Sequence, residues 1–230
     1  MPVNEHINLD FKRAARLGFN EAIYAESKSV AQLAHILEQA VERGESFLLT
    51  RLRPDQHAAL PPDLRQGIDF DPVSRTGYFG GRPTPQGAPR VAIVSAGTSD
   101  APVVAEAART LRFYGEGNAS INDVGVAGIW RLLERVEELV SMPVVIVVAG
   151  MDGALPSVVG GLVPGLVIAV PTSVGYGVAN GGSAALHACL ASCAPGLVVM
   201  NVDNGYGAAC AALRALRGRG PATTERQTQG

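Results

Sequence analysis

The sequence predicts an α/β protein with a parallel sheet covered by helices on both faces, preceded by a smaller α+β region. Three observations support this prediction. Apolar runs without polar alternation take turns with helical patterns along residues 91–216, which is typical of buried parallel strands. Each apolar run is followed by a segment rich in glycine and small polar residues. A Pro- and Gly-rich join, GGRPTPQGAPR, separates this part from residues 1–80.

The first part contains one well-defined helical pattern, at residues 30–42, and Ser29 precedes it as a candidate N-cap. Gly44 follows as a stop signal. The apolar residues that recur close to helical spacing are Val30, Leu33, Ile36, Leu37 and Val41. A short strand is predicted at residues 47–52, and no structure is assigned to the polar stretch that follows it.

The second part contains five strand and five helix patterns. The strands are predicted at residues 91–95, 119–124, 144–149, 166–170 and 197–202. The helices are predicted at residues 101–114, 129–140, 154–163, 182–191 and 208–216. This alternation predicts a doubly wound sheet of five parallel strands. No sequence unit repeats convincingly, so a solenoid is not supported.

Four segments follow from these patterns: an N-terminal region at residues 1–80, a linker at 81–90, an α/β domain at 91–216 and a polar tail at 217–230. The tail lacks periodicity, and we expect it to be disordered.

Composition excludes several classes of protein. The net charge of −2 over 230 residues offers no polycationic surface, so we expect no nucleic-acid partner. No apolar run approaches the roughly 20 residues that cross a bilayer, so we expect no membrane insertion. The N-terminus lacks the layout of a secretory signal, and the three cysteines are an odd, clustered set. We therefore expect a cytoplasmic protein.

Polar, glycine-rich segments follow all five strands, and ligands of open α/β sheets bind beyond the carboxyl ends of the strands. Glycine also serves ordinary short turns, but five such segments at one edge favour a site for a polar small molecule. The segments read SAGTSD, NDVGVAG, AGMDGALPS, PTSVGYGVANGG and NVDNGYG. The candidate substrate-binding residues are Ser95, Gly97, Thr98, Ser99, Asp100, Asp123, Gly125, Gly150, Met151, Gly153, Ser157, Ser173, Asn201, Asp203 and Asn204.

The segment SAGTSD leaves a buried strand and enters a helix. Asp100 or Ser99 is placed to cap that helix, and Pro102 falls in its first turn. The free N–H groups there can hold a phosphate or a carboxylate, although ordinary capping explains the same residues. The chain has no G-x-G-x-x-G after a strand and no P-loop, and residues 91–216 contain no lysine for a Schiff base.

The cysteines form no C-x-x-C pair. Cys189 and Cys193, with His187 nearby, lack a convincing set of metal partners. Spacing alone leaves Cys193 as either a nucleophile or an inert thiol, and favours the inert thiol because buried cysteines are common.

Longer runs of sequence resemble one known family. VAIVSAGTSDAPVVAEAA, MPVVIVVAGMDGALPSVVGGL, VIAVPTSVGYG and SCAPGLVVMNVDNGYGA closely resemble the LarB family of nickel-pincer cofactor biosynthesis. That family is related to the PurE type of aminoimidazole ribonucleotide carboxylase. The resemblance covers most of residues 91–212, and GFNEAIYAESKS with the LTR near Thr50 is similar to the family's N-terminal region. It implies a PurE-like three-layer sandwich.

The resemblance also implies an activity. LarB proteins carboxylate the nicotinate ring of nicotinic acid adenine dinucleotide, with CO2 or bicarbonate as co-substrate, and hydrolyse its phosphoanhydride. Cys193 aligns with the cysteine of the family's SCA(P/N)G motif and is expected to be the nucleophile. Asp152 is expected to handle protons. Asp152 and Asp203 are expected to bind Mg²⁺ or another divalent cation.

Two residues depart from the family pattern: Asp152 stands where the family has Glu, and Trp130 where it has His. The departures leave two alternatives open. One is a PurE-like carboxylase or mutase that acts on an imidazole ribonucleotide and does not need Cys193. The other is a non-catalytic protein that binds the dinucleotide.

The position of Cys193 before the last strand predicts that it lies at the edge of the sheet opposite the polar loops. A neighbouring subunit would then complete the site. PurE relatives assemble as octamers, so we expect a homo-oligomer, an octamer or tetramer, with shared sites.

Overall fold

The structure is a computed structural model that describes residues 8–81 and 84–218. Residues 82–83 of the expected linker and residues 219–230 of the expected disordered tail lie outside the described residues.

The N-terminal region is a four-stranded sheet with helices. In chain order it contains α1 (Arg13–Leu17), β1 (Ala22–Tyr24), α2 (Val30–Arg43), β2 (Phe47–Thr50), α3 (Pro54–Ala58), α4 (Pro62–Gln66), β3 (Ile68–Asp71) and β4 (Thr76–Phe79). The strand order is β1-β2-β4-β3, with β1 and β2 parallel and the other pairs antiparallel. The predicted cap and stop of α2 are confirmed, since the Ser29 hydroxyl accepts a hydrogen bond from the Gln32 amide and Gly44 has a φ of 63°. The polar stretch that the sequence left unassigned forms α3, α4 and the β3–β4 hairpin.

The second part is a five-stranded parallel sheet, as predicted. Its elements are β5 (Val91–Ser95), α5 (Ala101–Phe113), β6 (Asn118–Ile121), α6 (Trp130–Leu133), α7 (Val136–Val140), β7 (Val144–Ala149), α8 (Leu155–Gly160), β8 (Leu166–Pro171), α9 (Ser183–Leu190), β9 (Val198–Val199) and α10 (Gly205–Arg217). The strand order is β6-β5-β7-β8-β9.

Two predicted elements differ from the structure. The helix predicted at residues 129–140 is broken into α6 and α7, because Arg135, with φ −115° and ψ 5°, leaves helical geometry between them. The strand predicted at residues 197–202 is reduced to the two residues of β9, which pair with Ile168 and Ala169. The chain turns soon afterwards at Asp203, whose φ is 55°.

Alternate residues of the central strands pack against opposite helix layers, which makes the predicted three-layer arrangement. Val91 and Ile93 face α5 and α10, whereas Ala92 and Val94 face α6, α7 and α8. Burial on both faces explains why the sequence shows continuous apolar runs here.

The N-terminal sheet packs on α5. Leu48 and Tyr78 lie on the face of the sheet toward α5 and contact Phe113. Leu49 lies on the opposite face and packs against α2. Tyr78 donates a hydrogen bond from its hydroxyl to the Arg109 carbonyl at 2.6 Å, and the Arg109 guanidinium lies 4.0 Å from the Tyr78 ring centre. Arg109 also donates to the Thr76 hydroxyl at 2.6 Å. This docking brings the loops that flank β2 and β4 to the start of α5.

No helix within residues 8–81 and 84–218 has the length and apolarity needed to cross a membrane.

Candidate active site

A cavity of about 340 Å³ opens where the carboxyl edge of the parallel sheet meets the N-terminal region. Ser99, Ser173 and Asp203, which follow β5, β8 and β9, come together in its wall. The N-terminal region contributes Arg51, Pro72, Val73, Ser74 and Arg75, and the second part contributes Ser99, Pro102, Val103, Glu106, Ser173, Val174 and Asp203. The sheet edge predicted from the sequence therefore carries a cavity, and the N-terminal region forms one of its walls.

The loop after β5 is held by its own side chains. Asp100 is only 2% exposed, and its carboxylate accepts hydrogen bonds from the Gly97 amide at 2.9 Å and the Thr172 hydroxyl at 2.8 Å. Burial raises the pKa of Asp100, and these two hydrogen bonds oppose that rise. Asp100 occupies the N-cap position of α5, as one of the two predicted candidates. Its side chain makes no capping hydrogen bond, because the carboxylate accepts from Gly97 and Thr172 instead.

The outward-facing residues of this loop differ from the buried ones. Ser95 is buried, and its hydroxyl donates to the Asn122 side chain at 3.1 Å. Thr98 and Ser99 are exposed, and Ser99 lines the cavity. Ser95 and Asp100 therefore shape the loop, whereas Ser99 is placed to touch a ligand.

The loop after β9 is tied to the loop after β8. Asp203 accepts a hydrogen bond from the Ser173 amide at 2.8 Å. Asn204 caps α10 by accepting a hydrogen bond from the Gly207 amide at 2.7 Å, and the Asn201 side chain accepts from the Val202 amide. The two asparagines thus support the loop, and Asp203 is the member of this group that lines the cavity.

The loop after β7 packs closely against its neighbours. A Cβ on Gly150 would lie 2.3 Å from the Val174 carbonyl oxygen, and one on Gly153, whose φ is 60°, would lie 2.8 Å from the Ala185 Cα. Met151 donates its amide to the Val174 carbonyl at 2.8 Å. Asp152 is exposed, accepts a hydrogen bond from the Ala154 amide at 3.3 Å, and is not part of the cavity wall.

The loop after β6 lies outside the cavity wall as well. Asp123 forms an ion pair with Arg131 at 2.6 Å, and the Gly125 amide donates to the Ala96 carbonyl. Trp130 begins α6 with 60% of its surface exposed. Its indole is therefore a surface group of this chain rather than part of the core.

Cys193 is exposed and lies apart from the cavity. The neighbouring Ser192 hydroxyl is 2.7 Å from the hydroxyl of Ser157 on α8. Farther along the same loop, Ala194 lies beside Gly160 and Gly165, close to the start of β8. The loop thus runs along α8 toward the amino edge of the sheet, as the sequence order predicts.

Three charged residues of the cavity wall were not identified from the sequence: Arg51, Arg75 and Glu106. Glu106 is buried on the inner face of α5 and accepts a hydrogen bond from the Tyr206 amide at 3.1 Å, at the start of α10. Burial raises the pKa of Glu106, and the positive charges of Arg51 and Arg75 oppose this rise. An acid on the apolar face of a predicted helix is a signal that points to Glu106, whereas the arginines follow segments whose fold the sequence does not reveal.

The described residues contain no group of three or more His, Cys, Asp or Glu side chains that could hold a metal ion. Asp152 and Asp203 therefore belong to no such group, and their binding of a divalent cation stays a prediction.

Comparisons with known proteins divide the chain into two matched regions. Residues 3–80 match the family described as the LarB/PurE-like N-terminal domain, and residues 90–229 match the family described as AIR carboxylase. An uncharacterized protein of Methanocaldococcus jannaschii is 34% identical over 215 residues, which cover 90% of this chain and 82% of that protein. The crystal structure of a PurE2 variant of Treponema denticola is 23% identical with a TM-score of 0.48, and the match covers 57% of this chain and 81% of that chain.

The family matches together cover both parts of the chain, and the archaeal relative matches nearly all of it. The chain therefore belongs to the LarB family, which is related to PurE and joins a LarB/PurE-like N-terminal domain to an AIR carboxylase domain.

Proposed function

We propose that this carboxylase-type enzyme carboxylates the nicotinate ring of nicotinic acid adenine dinucleotide and hydrolyses the phosphoanhydride of that substrate. The products are pyridinium-3,5-dicarboxylate mononucleotide and AMP. The observation that carries the proposal is the exposure of Cys193, within SCAPG, in a chain that joins both LarB-family regions.

The chemistry explains the need for a thiolate. A pyridinium ring is electron-poor and cannot attack carbon dioxide. Addition of the Cys193 thiolate forms a C–S bond and converts the ring into a neutral enamine, whose β-carbon is nucleophilic. That carbon forms a C–C bond with carbon dioxide and loses its proton to a base. The released electron pair then expels the thiolate and restores the aromatic ring. The net change at the ring replaces one hydrogen by a carboxylate and releases one proton.

The anhydride step consumes one water and gives two phosphate monoesters. Mg²⁺ in such sites is usually held by one or two carboxylates together with substrate phosphates. Since the described residues form no cluster of three candidate ligands, we propose that a divalent cation enters with the substrate. The cavity wall has two carboxylates, and Asp203, which is less buried than Glu106, is the one that could contact it.

We further propose that the working enzyme is a homo-oligomer, an octamer or tetramer. Cys193 lies outside the cavity that contains Ser99 and Asp203, which supports a site in which a second copy supplies the thiol to that cavity. Several large apolar side chains are exposed between the end of β8 and the end of α9, as expected of a surface between copies. They are Tyr176, Val178 and Leu190, and Val178 is 97% exposed.

The test is mass spectrometry of the purified protein incubated with the dinucleotide, bicarbonate and magnesium. We expect the wild-type protein and the Cys210→Ala control to form the dicarboxylated mononucleotide and AMP, and Cys193→Ala to form neither. Equal activity of Cys193→Ala on the dinucleotide would reject the covalent route. No product from the dinucleotide, together with carboxylation of an imidazole ribonucleotide by both wild type and Cys193→Ala, would favour the PurE-like alternative. Dinucleotide binding without any product would indicate a non-catalytic protein, and would make Trp130 and Asp152 the first residues to restore to the family pattern.

A further inference from the structure

The cavity takes its basic side chains from the N-terminal region. Arg51 and Arg75 line it, whereas residues 91–216, with five arginines and no lysine, contribute no basic side chain to its wall. Arg109 is used to dock the N-terminal sheet, and Arg131 pairs with Asp123. A ligand with negative charge in this cavity therefore meets Arg51 and Arg75.

The backbone holds these two arginines side by side. Arg51 follows β2 and Arg75 precedes β4, and the amide of Leu52 donates to the Arg75 carbonyl at 2.7 Å. Both arginines have a φ of 52°, a conformation that residues other than glycine adopt infrequently. Strained backbone of this kind is concentrated at functional sites.

Each guanidinium has one defined contact near the cavity. Arg51 donates from Nη2 to the Asp203 carbonyl at 2.7 Å, and this bond uses one of its N–H groups. Arg75 approaches Glu26, with Nη1 and Oε1 3.6 Å apart. The two carboxylates in the wall are engaged elsewhere, since Glu106 accepts from the start of α10 and Asp203 accepts from the Ser173 amide. Glu26, which also accepts a hydrogen bond from the Tyr24 hydroxyl at 2.6 Å, is the carboxylate in direct contact with Arg75 and competes with a bound anion for it.

We propose that Arg51 and Arg75 form an anion subsite that binds a phosphate group of the substrate, with Ser99 in the wall of the same cavity. This inference rests on the proposed function, because it names the groups that hold that substrate's phosphates. Guanidinium groups suit phosphate because parallel N–H groups can donate to two oxygens at once. The start of α5 beside Ser99 adds the positive end of a 13-residue helix. The N-terminal region thus supplies the cationic half of the substrate site.

The test measures binding of inorganic pyrophosphate, AMP and adenosine by calorimetry, without turnover. We expect pyrophosphate and AMP to bind and adenosine to bind far more weakly. Arg75→Gln should weaken the two phosphate ligands about tenfold to a hundredfold, the effect of losing a charged hydrogen-bond donor. Glu26→Gln should strengthen them several-fold, because it removes the competing carboxylate. Arg135→Gln removes the same charge from an exposed pair with Glu138 and should leave binding unchanged.

Absence of phosphate binding by the wild-type protein would overturn the subsite, as would unchanged binding by both Arg51→Gln and Arg75→Gln. Different results would reject the subsite and the proposed function. Phosphate binding that depends on Arg75, in a protein that does not carboxylate the dinucleotide, would retain the subsite and reject the proposed reaction. Carboxylation by Arg75→Gln with an unchanged KM would retain the reaction and reject the subsite.

Discussion

Arg51 donates a hydrogen bond to the carbonyl of Asp203, a residue 152 positions away in the chain. The same Asp203 accepts a hydrogen bond from the Ser173 amide through its carboxylate. One residue thus joins the N-terminal region to the loops that follow β8 and β9. Because Asp203 also has a positive φ, its conformation depends on these contacts.

Two substitutions of Asp203 test whether its hydrogen bond and backbone conformation, rather than its negative charge, hold the loop. Asp203→Asn keeps an oxygen acceptor for the Ser173 amide, and asparagine tolerates a φ near 55°. Asp203→Ala loses the acceptor and tolerates that φ poorly. We expect the alanine variant to be destabilised by about 1 to 3 kcal/mol in urea unfolding and the asparagine variant by less than half as much. Equal losses in the two variants would show that the hydrogen bond does not hold the loop.

Arg109 should account for much of the docking between the two regions. Its guanidinium lies over the Tyr78 ring and donates to the Thr76 hydroxyl and the Asp69 carbonyl. Lysine keeps the charge but not the planar set of donors, so we expect Arg109→Lys to lower the free energy of unfolding by about 2 kcal/mol. Arg112→Lys, one turn along α5 on an exposed position, is the matched control and should change it by less than about 0.5 kcal/mol. Chemical unfolding of the two variants provides the comparison, and similar losses would contradict this role.

The sequence predicts the parallel sheet well because its strands are buried on both faces. Val91–Ser95 and Val144–Ala149 are entirely buried, so their apolar runs report their environment directly. The N-terminal hairpin was not predicted because β3 has only four residues, two of them aspartates, which are depleted in strands, and β4 contains Gly77, which weakens a strand pattern.

The sequence predicted only those residues of the candidate site that directly follow a predicted strand. Ser99 and Asp203 follow strands whose direction fixes their edge of the sheet, so the strand-end rule locates them. Arg51 and Arg75 reach the same cavity through the docking of Tyr78 and Arg109 across separate regions. Such long-range packing leaves no local pattern. The resemblance to LarB proteins likewise singles out Cys193 but does not place its thiol near the cavity.

Glu106 should make stability depend on pH. Burial raises the pKa of its carboxyl in the folded protein above the value of about 4.3 expected when unfolded. The folded state thus favours the protonated carboxyl. The stability that this preference contributes is fully present below about pH 4. It is lost as the pH rises through the folded pKa. We expect the unfolding free energy of the wild-type protein, relative to Glu106→Gln, to fall from pH 4 toward pH 7.

Urea unfolding of both proteins across this range checks the dependence on Glu106. The other titrating groups are common to both proteins and cancel in the difference. A difference that stays constant, or that grows with pH, would contradict the direction of the shift.

The three cysteines should react with iodoacetamide at very different rates. Cys193 is exposed, whereas burial raises the pKa of Cys189 to about 11 and also raises that of Cys210. Only the thiolate reacts readily, so we expect Cys193 to be labelled first at neutral pH. Peptide mapping by mass spectrometry identifies the labelled site. Early labelling of Cys189 or Cys210 in the folded protein would show that the burial of these thiols is not maintained in solution.

Ser157 has two candidate roles: it binds substrate, or it positions Cys193, the proposed nucleophile. Sequence alone places it among the substrate-binding residues, but its hydroxyl lies 2.7 Å from that of Ser192, beside Cys193. Loss of this bond in Ser157→Ala should loosen the Cys193 loop while leaving the cavity wall intact. We expect kcat to fall about tenfold and KM for the proposed dinucleotide substrate to stay within about twofold, because a displaced reacting group lowers the rate of chemistry.

Ser192→Ala removes the other hydroxyl of the pair, which also accepts from the Ala194 amide at 3.1 Å, and should lower kcat at least as much as Ser157→Ala. Ser157→Thr keeps a hydroxyl and should recover part of the rate. A rise in KM at unchanged kcat would instead assign Ser157 to substrate binding, as the sequence first indicates. The split between kcat and KM therefore decides whether the hydrogen bond between Ser157 and Ser192 serves the thiol or the ligand.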